Sequence, residues 1–289
     1  MAGAMKLIDG ISAIVDTYDL FVVDQWGVLH DGESPYPGAV DALENLRRAG
    51  KRVVLLSNSA RRAAMGVRHL DGMGIPRTLY DDLVTSGEET WRHLHDRPDE
   101  FYRGLGTRCL LFSWGYDRGT TEGTGIAVTE SVAEADFILN AGTNREPMSF
   151  YEPMLIAAAA RGLPMICANP DLVSVAPDGE LVVSPGAVAR RYEELGGSVR
   201  YHGKPGRAVY EACFARVPGA GRAIGIGDSL HHDVAGAHGA GIDALLIAGG
   251  VHAKALGIAW GAAPDLARLE ALAAEIGHRP DCVTPVFRW

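Results

Sequence analysis

Four motifs, each following an apolar run or standing ahead of a helix, carry residues whose types could do chemistry together. They are Asp24 closing LFVVD, Ser57 with Asn58 closing VVLLSN, Lys204 in YHGKPG, and Asp228 with Asp233 in GIGDSLHHD. Singly, each has an ordinary explanation. An aspartate after a strand is more often a turn former or a helix cap, and a lysine ahead of a helix is usually solvated. Jointly they read differently, because carboxylates gathered at one point repel one another unless a cation sits among them. Oxygen ligands of this kind suit magnesium, which takes one or two carboxylates and keeps its other positions for water or phosphate oxygens. The Ser57 hydroxyl, the Asn58 amide and the Lys204 ammonium are complementary donors for a phosphoryl group. The chain holds only Lys6, Lys51, Lys204 and Lys254 among far more arginines. Retention of a compact ammonium at 204 is mild support for a tight anionic pocket.

Such residues need elements to hold them. Short apolar runs end at polar or glycine turns at Leu20 to Asp24, Arg52 to Ser59, Arg108 to Ser113, Ala135 to Gly142, Leu163 to Pro170, Arg222 to Ser229 and Asp243 to Gly250. Continuous apolar strands of this type suit a parallel sheet buried on both faces. Between them, PGAVDALENLRRAG places Val40, Leu43 and Leu46 at helical spacing and stops at Gly50, and EPMLIAAAARG and PGRAVYEACFARV read similarly. Strand, helix and strand in alternation predict an α/β fold with its site at the carboxyl ends of the strands. The Gly- and Thr-rich segment Asp117 to Glu130 reads as a loop, and the segments around Thr85 and Gly197 as joins between domains.

Composition narrows the partners. A chain of 289 residues, 47% hydrophobic and 22% charged, can bury a sizeable core. A formal net charge of −9 argues against holding nucleic acid or an anionic membrane through a basic surface and leaves small molecules as the expected partners. Cys109, Cys167, Cys213 and Cys282 form no CxxC or Cys/His cluster, so neither a zinc site nor a disulfide framework is expected, and a reducing cytoplasm fits. No signal peptide is read at the N-terminus.

In their order, DQWGVL, a strand ending in Ser57, Lys204 and then GDSxxxD, these motifs resemble the haloacid dehalogenase superfamily. The long α/β segment between Ser57 and Lys204, with ADFILNAG, ICANPD and SPGAVARRYEELGG, is similar to the cap of NagD-like sugar and nucleotide phosphatases. The resemblance implies a Rossmann-like core from residues 1–84 and 198–289 with an inserted α/β cap at 85–197. It implies Asp24 as the nucleophile that forms an aspartyl-phosphate, and magnesium bound by Asp24, the Trp26 main-chain carbonyl and Asp228. Ser57 and Lys204 would hold the phosphate of a small phosphorylated substrate, and Asp233 would support the metal waters or orient Lys204. A cap-mediated homodimer is a further expectation from the family.

One residue departs from the pattern. Phosphatases of this superfamily carry a second aspartate where this chain has Trp26, and indole cannot transfer the leaving-group proton. Three readings stay open: a phosphatase whose acid/base group is His30, His231 or His232; chemistry on another bond, such as carbon–halogen cleavage; or a binder of phosphorylated metabolites that no longer turns them over. In the cap, Asn169 and Asp171 of ANPDLVS are candidate substrate groups, although Asn-Pro-Asp is also an ordinary turn. Trp91, Trp114, Tyr116 and Tyr151 could stack on a base but are explained as economically by packing.

Overall fold

The computed structural model describes residues 5–175 and 181–289. The fold is α/β, with parallel sheets, and it divides into two compact units. One comprises residues 1–57, 67–84 and 204–289, and the other 58–66 and 85–203.

The first unit is built on a seven-stranded sheet. Its spatial order is Lys6–Leu7, Cys282–Thr284, Asp243–Ile247, Ala223–Gly227, Leu20–Asp24, Arg52–Ser57 and Asp82–Thr85. The registers described in it are all parallel. Its central strands read as unbroken apolar runs because both faces are covered. Leu20, Val22, Val54, Leu56 and Leu246 enter one core cluster, while Phe21, Val23, Val53 and Leu55, pointing the other way, are equally buried. The helix Ala39–Arg48 buries Ala39, Ala42, Leu43 and Leu46 and keeps Arg47 and Arg48 in its last turn, the amphipathic stripe its spacing predicts.

The strands Leu20–Asp24 and Ala223–Gly227 lie side by side, and from them the chain runs outward in opposite directions across the sheet. That reversal leaves a crevice at the carboxyl ends of the two strands. The register Val23↔Ile226 brings Asp24 level with Gly227, so Asp24 and Asp228 emerge at the same edge. The neighbouring register Asp24↔Leu56 puts Ser57 there as well.

The second unit has a five-stranded sheet in the order Ser198–Tyr201, Pro164–Cys167, Phe137–Asn140, Arg108–Phe112 and Ala127–Thr129, with parallel registers throughout. A two-stranded antiparallel ribbon joins Val173–Val175 to Leu181–Val183. Alternate residues again serve two cores. Leu110, Phe112, Ile138, Met165 and Cys167 face one, and Cys109, Phe137, Leu139 and Ile166 the other. The short segment 58–66 clusters with this unit because the helix Ser86–Asp96 meets it at Gly87, where a Cβ would come 1.9 Å from the Ala60 carbonyl oxygen.

One expectation is corrected. The segment Asp117 to Glu130 is not all loop, since Ala127–Thr129 pairs with Arg108–Leu110 at the sheet edge; three residues amid glycines and threonines carry too little alternation to announce a strand. The second unit ends at Gly203, with Ser198–Tyr201 as an edge strand of its sheet. Cys109, Cys167, Cys213 and Cys282 are buried, and none of them forms a disulfide among the described residues. Among the described residues no helix is long and apolar enough to cross a membrane.

Candidate active site

Asp24, Lys204, Asp228 and Asp233 converge in the first unit, all buried. Lys204 Nζ lies 2.6 Å from Asp24 Oδ1 and 2.7 Å from Asp233 Oδ1. Asp233 is brought back toward the strand end by the helical turn Leu230–Val234, and its Oδ2 accepts the Ser229 N–H at 3.0 Å. Both of its oxygens are thereby engaged. Asp228 Oδ2 accepts the Val251 N–H at 2.8 Å.

Three glycines make room for these carboxylates. A Cβ on Gly27, which sits at φ +81°, would come 2.1 Å from Asp228 Oδ2, and one on Gly250 would come 2.2 Å from the same oxygen. A Cβ on Gly227 would come 1.9 Å from the Asp233 carboxyl carbon. Such close backbone approach is open only to glycine.

Carboxylate oxygens of Asp24, Asp228 and Asp233 lie within 4.8 Å of one another. Burial pushes the Asp24 carboxyl up to about 7, against the pull of Lys204. Burial, then the charges of Asp24 and Asp233, hold Asp228 well above the carboxylate range. At Lys204 burial acts downward, but Asp233 and Asp24 outweigh it and keep the ammonium charged. Three carboxyl groups share one ammonium; burial favours the protonated forms of Asp24 and Asp228, and a hard divalent cation would let them ionise together.

Residues 21–126 match the haloacid dehalogenase-like hydrolase family, and residues 201–274 the HAD-hydrolase-like family. A solved hydrolase of the haloacid dehalogenase-like family from Brucella suis 1330 is 30% identical, with a TM-score of 0.81 over 97% of this chain and 99% of that one. The chain belongs to the haloacid dehalogenase-like hydrolases. A D-glycerol 3-phosphate phosphatase from Mycobacterium tuberculosis is 25% identical over 84% of this chain. The match spans 66% of that relative, just under two thirds of its length. The glycerol phosphate phosphatase of that organism, solved in complex with magnesium, shares the fold at a TM-score of 0.65 and 24% identity, over 89% of this chain and 78% of that one.

In this hydrolase the turn after Asp24 is closed by the Gln25 carbonyl, which accepts the N–H groups of Val28, Leu29 and His30. Trp26 projects from that turn with 50% of its surface exposed. Its indole lies against Gly32, where a Cβ would come 2.4 Å from the ring, and meets the His30 ring edge-on at 6.0 Å. His30 is buried, and its Nδ1 accepts the Gly32 N–H at 3.0 Å. Burial, then His69, lowers its pKa to about 4. Its imidazole is therefore neutral at pH 7 and a poor proton donor. His231 is exposed on the Leu230–Val234 turn, and the His232 N–H donates to Ser229 Oγ at 3.2 Å.

The remaining candidates lie in the second unit. Asn58 donates from Nδ2 to Asp171 Oδ1 at 2.8 Å, and Asn169 Oδ1 accepts the Asp171 N–H at 2.9 Å. The Asn-Pro-Asp segment is thus an Asx-type turn whose carboxylate holds Asn58. Tyr151 is 3% exposed and belongs to a core, and Trp91 stacks beneath the Arg62 guanidinium at 3.8 Å. Trp114 and Tyr116 remain exposed. Gln25, Gly27 and Gly250 also shape the site, and of these only Gly27, within DQWGVL and at φ +81°, carries a signal in the sequence.

Proposed function

We propose that this hydrolase cleaves the phosphoester bond of a small phosphorylated metabolite at Asp24, with a divalent cation, magnesium by choice, held beside it. The observation that carries the reading is the buried group of three carboxylates around one ammonium. An Asp24 oxygen attacks phosphorus, the bond from phosphorus to the ester oxygen breaks, and the leaving oxygen takes a proton. Water then cleaves the aspartyl-phosphate, returning Asp24 and releasing inorganic phosphate.

The donor set fits the cation: hard carboxylate oxygens of Asp24 and Asp228, in a cradle that a Cβ at Gly27 or Gly250 would fill. The main-chain carbonyl of Trp26 would complete the protein ligands. The cation would supply charge neutralisation for the phosphoryl oxygens. Lys204, protonated and fixed by Asp233, would neutralise a further phosphate oxygen and, with the cation, favour the anionic form of Asp24 against its burial. Ser57, at the same sheet edge, would donate its hydroxyl to the phosphate.

Magnesium-dependent phosphate release from an aryl phosphate and a panel of alkyl phosphates, compared between the natural protein and Asp24→Asn, tests the reading. Turnover that disappears in the variant supports the nucleophile. Saturable phosphate binding without turnover in either protein would instead favour a binder.

A further inference from the structure

The turn Leu230–Val234, which carries Asp233 back to the strand end, is wider than an α-helical turn. The Ser229 carbonyl accepts the Asp233 N–H at 2.9 Å and also the Val234 N–H, one residue further on, at 3.1 Å. Widened turns of this kind recur at functional sites, and their first N–H groups need partners from outside the backbone ladder. The His232 N–H finds one close by, in Ser229 Oγ. The Leu230 N–H reaches instead across to His252 Nε2, 22 residues along the chain and 3.1 Å away.

His252 belongs to the loop that holds Asp228. The Val251 N–H donates to Asp228 Oδ2 at 2.8 Å, and Gly250 lies so close to that carboxylate that a Cβ would come 2.2 Å from it. Neighbouring residues 251 and 252 thus grip residues 228 and 230, two ties between the same two segments. The backbone that presents the imidazole is itself fixed. The Gly250 carbonyl accepts the Ala253 N–H at 3.0 Å, and the His252 carbonyl accepts the Leu256 N–H at 2.9 Å. Leu230 and Leu256 are both buried in one core cluster, which anchors each segment from below.

A backbone N–H can only donate, so His252 Nε2 carries the lone pair and the ring proton sits on Nδ1. Burial, then the neighbouring His231, lowers the His252 pKa to about 4, so the acceptor is available at neutral pH. The far end of the turn is held separately, by the buried Tyr210 hydroxyl, which donates to the Asp233 carbonyl at 3.2 Å. With that end fixed, the position of Leu230 decides how the turn is seated and where the Asp233 carboxylate meets Lys204, 2.7 Å away.

We infer that His252 is a positioning residue for the reaction at Asp24: its Nε2 seats the turn that aims Asp233 at Lys204 and ties that turn to the loop holding Asp228. The role rests on the phosphoester reading above. An apolar side chain at 252 would leave the Leu230 N–H without its acceptor and cut one of the two ties between the segments. Both carboxylates, and through Asp233 the ammonium, would then lose their alignment.

Three forms of the full chain test the role: the natural protein, His252→Gln, which keeps an acceptor near the Nε2 position, and His252→Leu, which removes it. Calorimetric titration with magnesium alone and steady-state kinetics on an aryl phosphate at saturating magnesium supply two separate readouts. His252→Leu should weaken magnesium binding and lower kcat, each about 10–100-fold, as loss of a partner that orients a ligand does. His252→Gln should recover most of both, and circular dichroism would establish that each variant is folded. A folded His252→Leu that loses stability but keeps its magnesium affinity and kcat would overturn the assignment, as would a His252→Gln no better than His252→Leu. Should His252→Leu fail to fold, the imidazole nitrogen shifts of the metal-free natural protein decide together with His252→Gln, and a proton on Nε2 would overturn the role. Absence of Asp24-dependent phosphate release from the natural protein would count against the phosphoester reading, and the magnesium titrations would still decide whether His252 positions the carboxylates.

Discussion

Lys204 and Asp24 are locked together, with the ammonium 2.6 Å from the carboxylate and both groups buried. The same ammonium also serves Asp233 at 2.7 Å. Lys204→Met would therefore leave three buried carboxylates with no positive partner. Removing one member of a buried ion pair typically costs about 3–5 kcal/mol. Urea denaturation in the presence of a chelator should show a loss of this size, and added magnesium should restore part of it. A midpoint unchanged by the substitution would mean that the carboxylates simply take up protons, and that Lys204 is not what keeps Asp24 ionised.

Asp24, Ser57, Lys204, Asp228 and Asp233 could be singled out in the sequence as candidates because each follows an apolar strand or precedes a helix, and the seven apolar runs correspond to strands of the two sheets. What could not be read were the edges. Lys6–Leu7 has two residues, Cys282–Thr284 and Ala127–Thr129 have three each, and Ser198–Tyr201 is largely exposed, so none shows the alternation or the apolar run that marks a strand.

Trp26 stands where the family resemblance places a carboxylic acid. A general acid typically contributes about 10²–10⁴-fold, most for leaving groups that depart poorly without a proton. Trp26→Asp should therefore raise turnover of alkyl phosphates relative to aryl phosphates by a factor in that range, while leaving magnesium dependence intact. Steady-state kinetics on matched alkyl and aryl esters measures the ratio. An unchanged ratio would mean that another group already supplies the proton, with His231 and His232 as the next positions to substitute.

Gly250 sets the position of Asp228. A Cβ at 250 would come 2.2 Å from Asp228 Oδ2 and 2.3 Å from its Cβ, so alanine there must displace the carboxylate that would hold the cation. Ligand binding to the folded state raises stability with ligand concentration. Magnesium titration should raise the melting temperature of the natural protein, and this rise should shrink in Gly250→Ala as it does in Asp228→Asn, with affinity weakened about 10–100-fold. Equal magnesium responses in all three proteins would remove Asp228 from the cation site.

His202 gives the second unit an acid sensitivity of its own. The ring is 8% exposed, and its Nε2 is hydrogen-bonded to the Tyr102 hydroxyl. Burial, then the neighbouring His93 and Arg200, lowers its pKa from 6.5 to about 3. Below pH 6.5 the unfolded chain therefore takes up a proton that the folded chain refuses, so stability is full above that pH and falls as pH drops toward about 3. One such group contributes a slope of about 1.4 kcal/mol per pH unit in that window. His30 and His252, each lowered to about 4 chiefly by burial, act in the same direction from the first unit. Denaturant melts between about pH 4.5 and 7.5, where linkage acts, should show a shallower acid slope in His202→Asn than in the natural protein. Parallel slopes in the two proteins would mean that His202 is protonated in the folded state after all, with Tyr102 accepting its hydrogen bond.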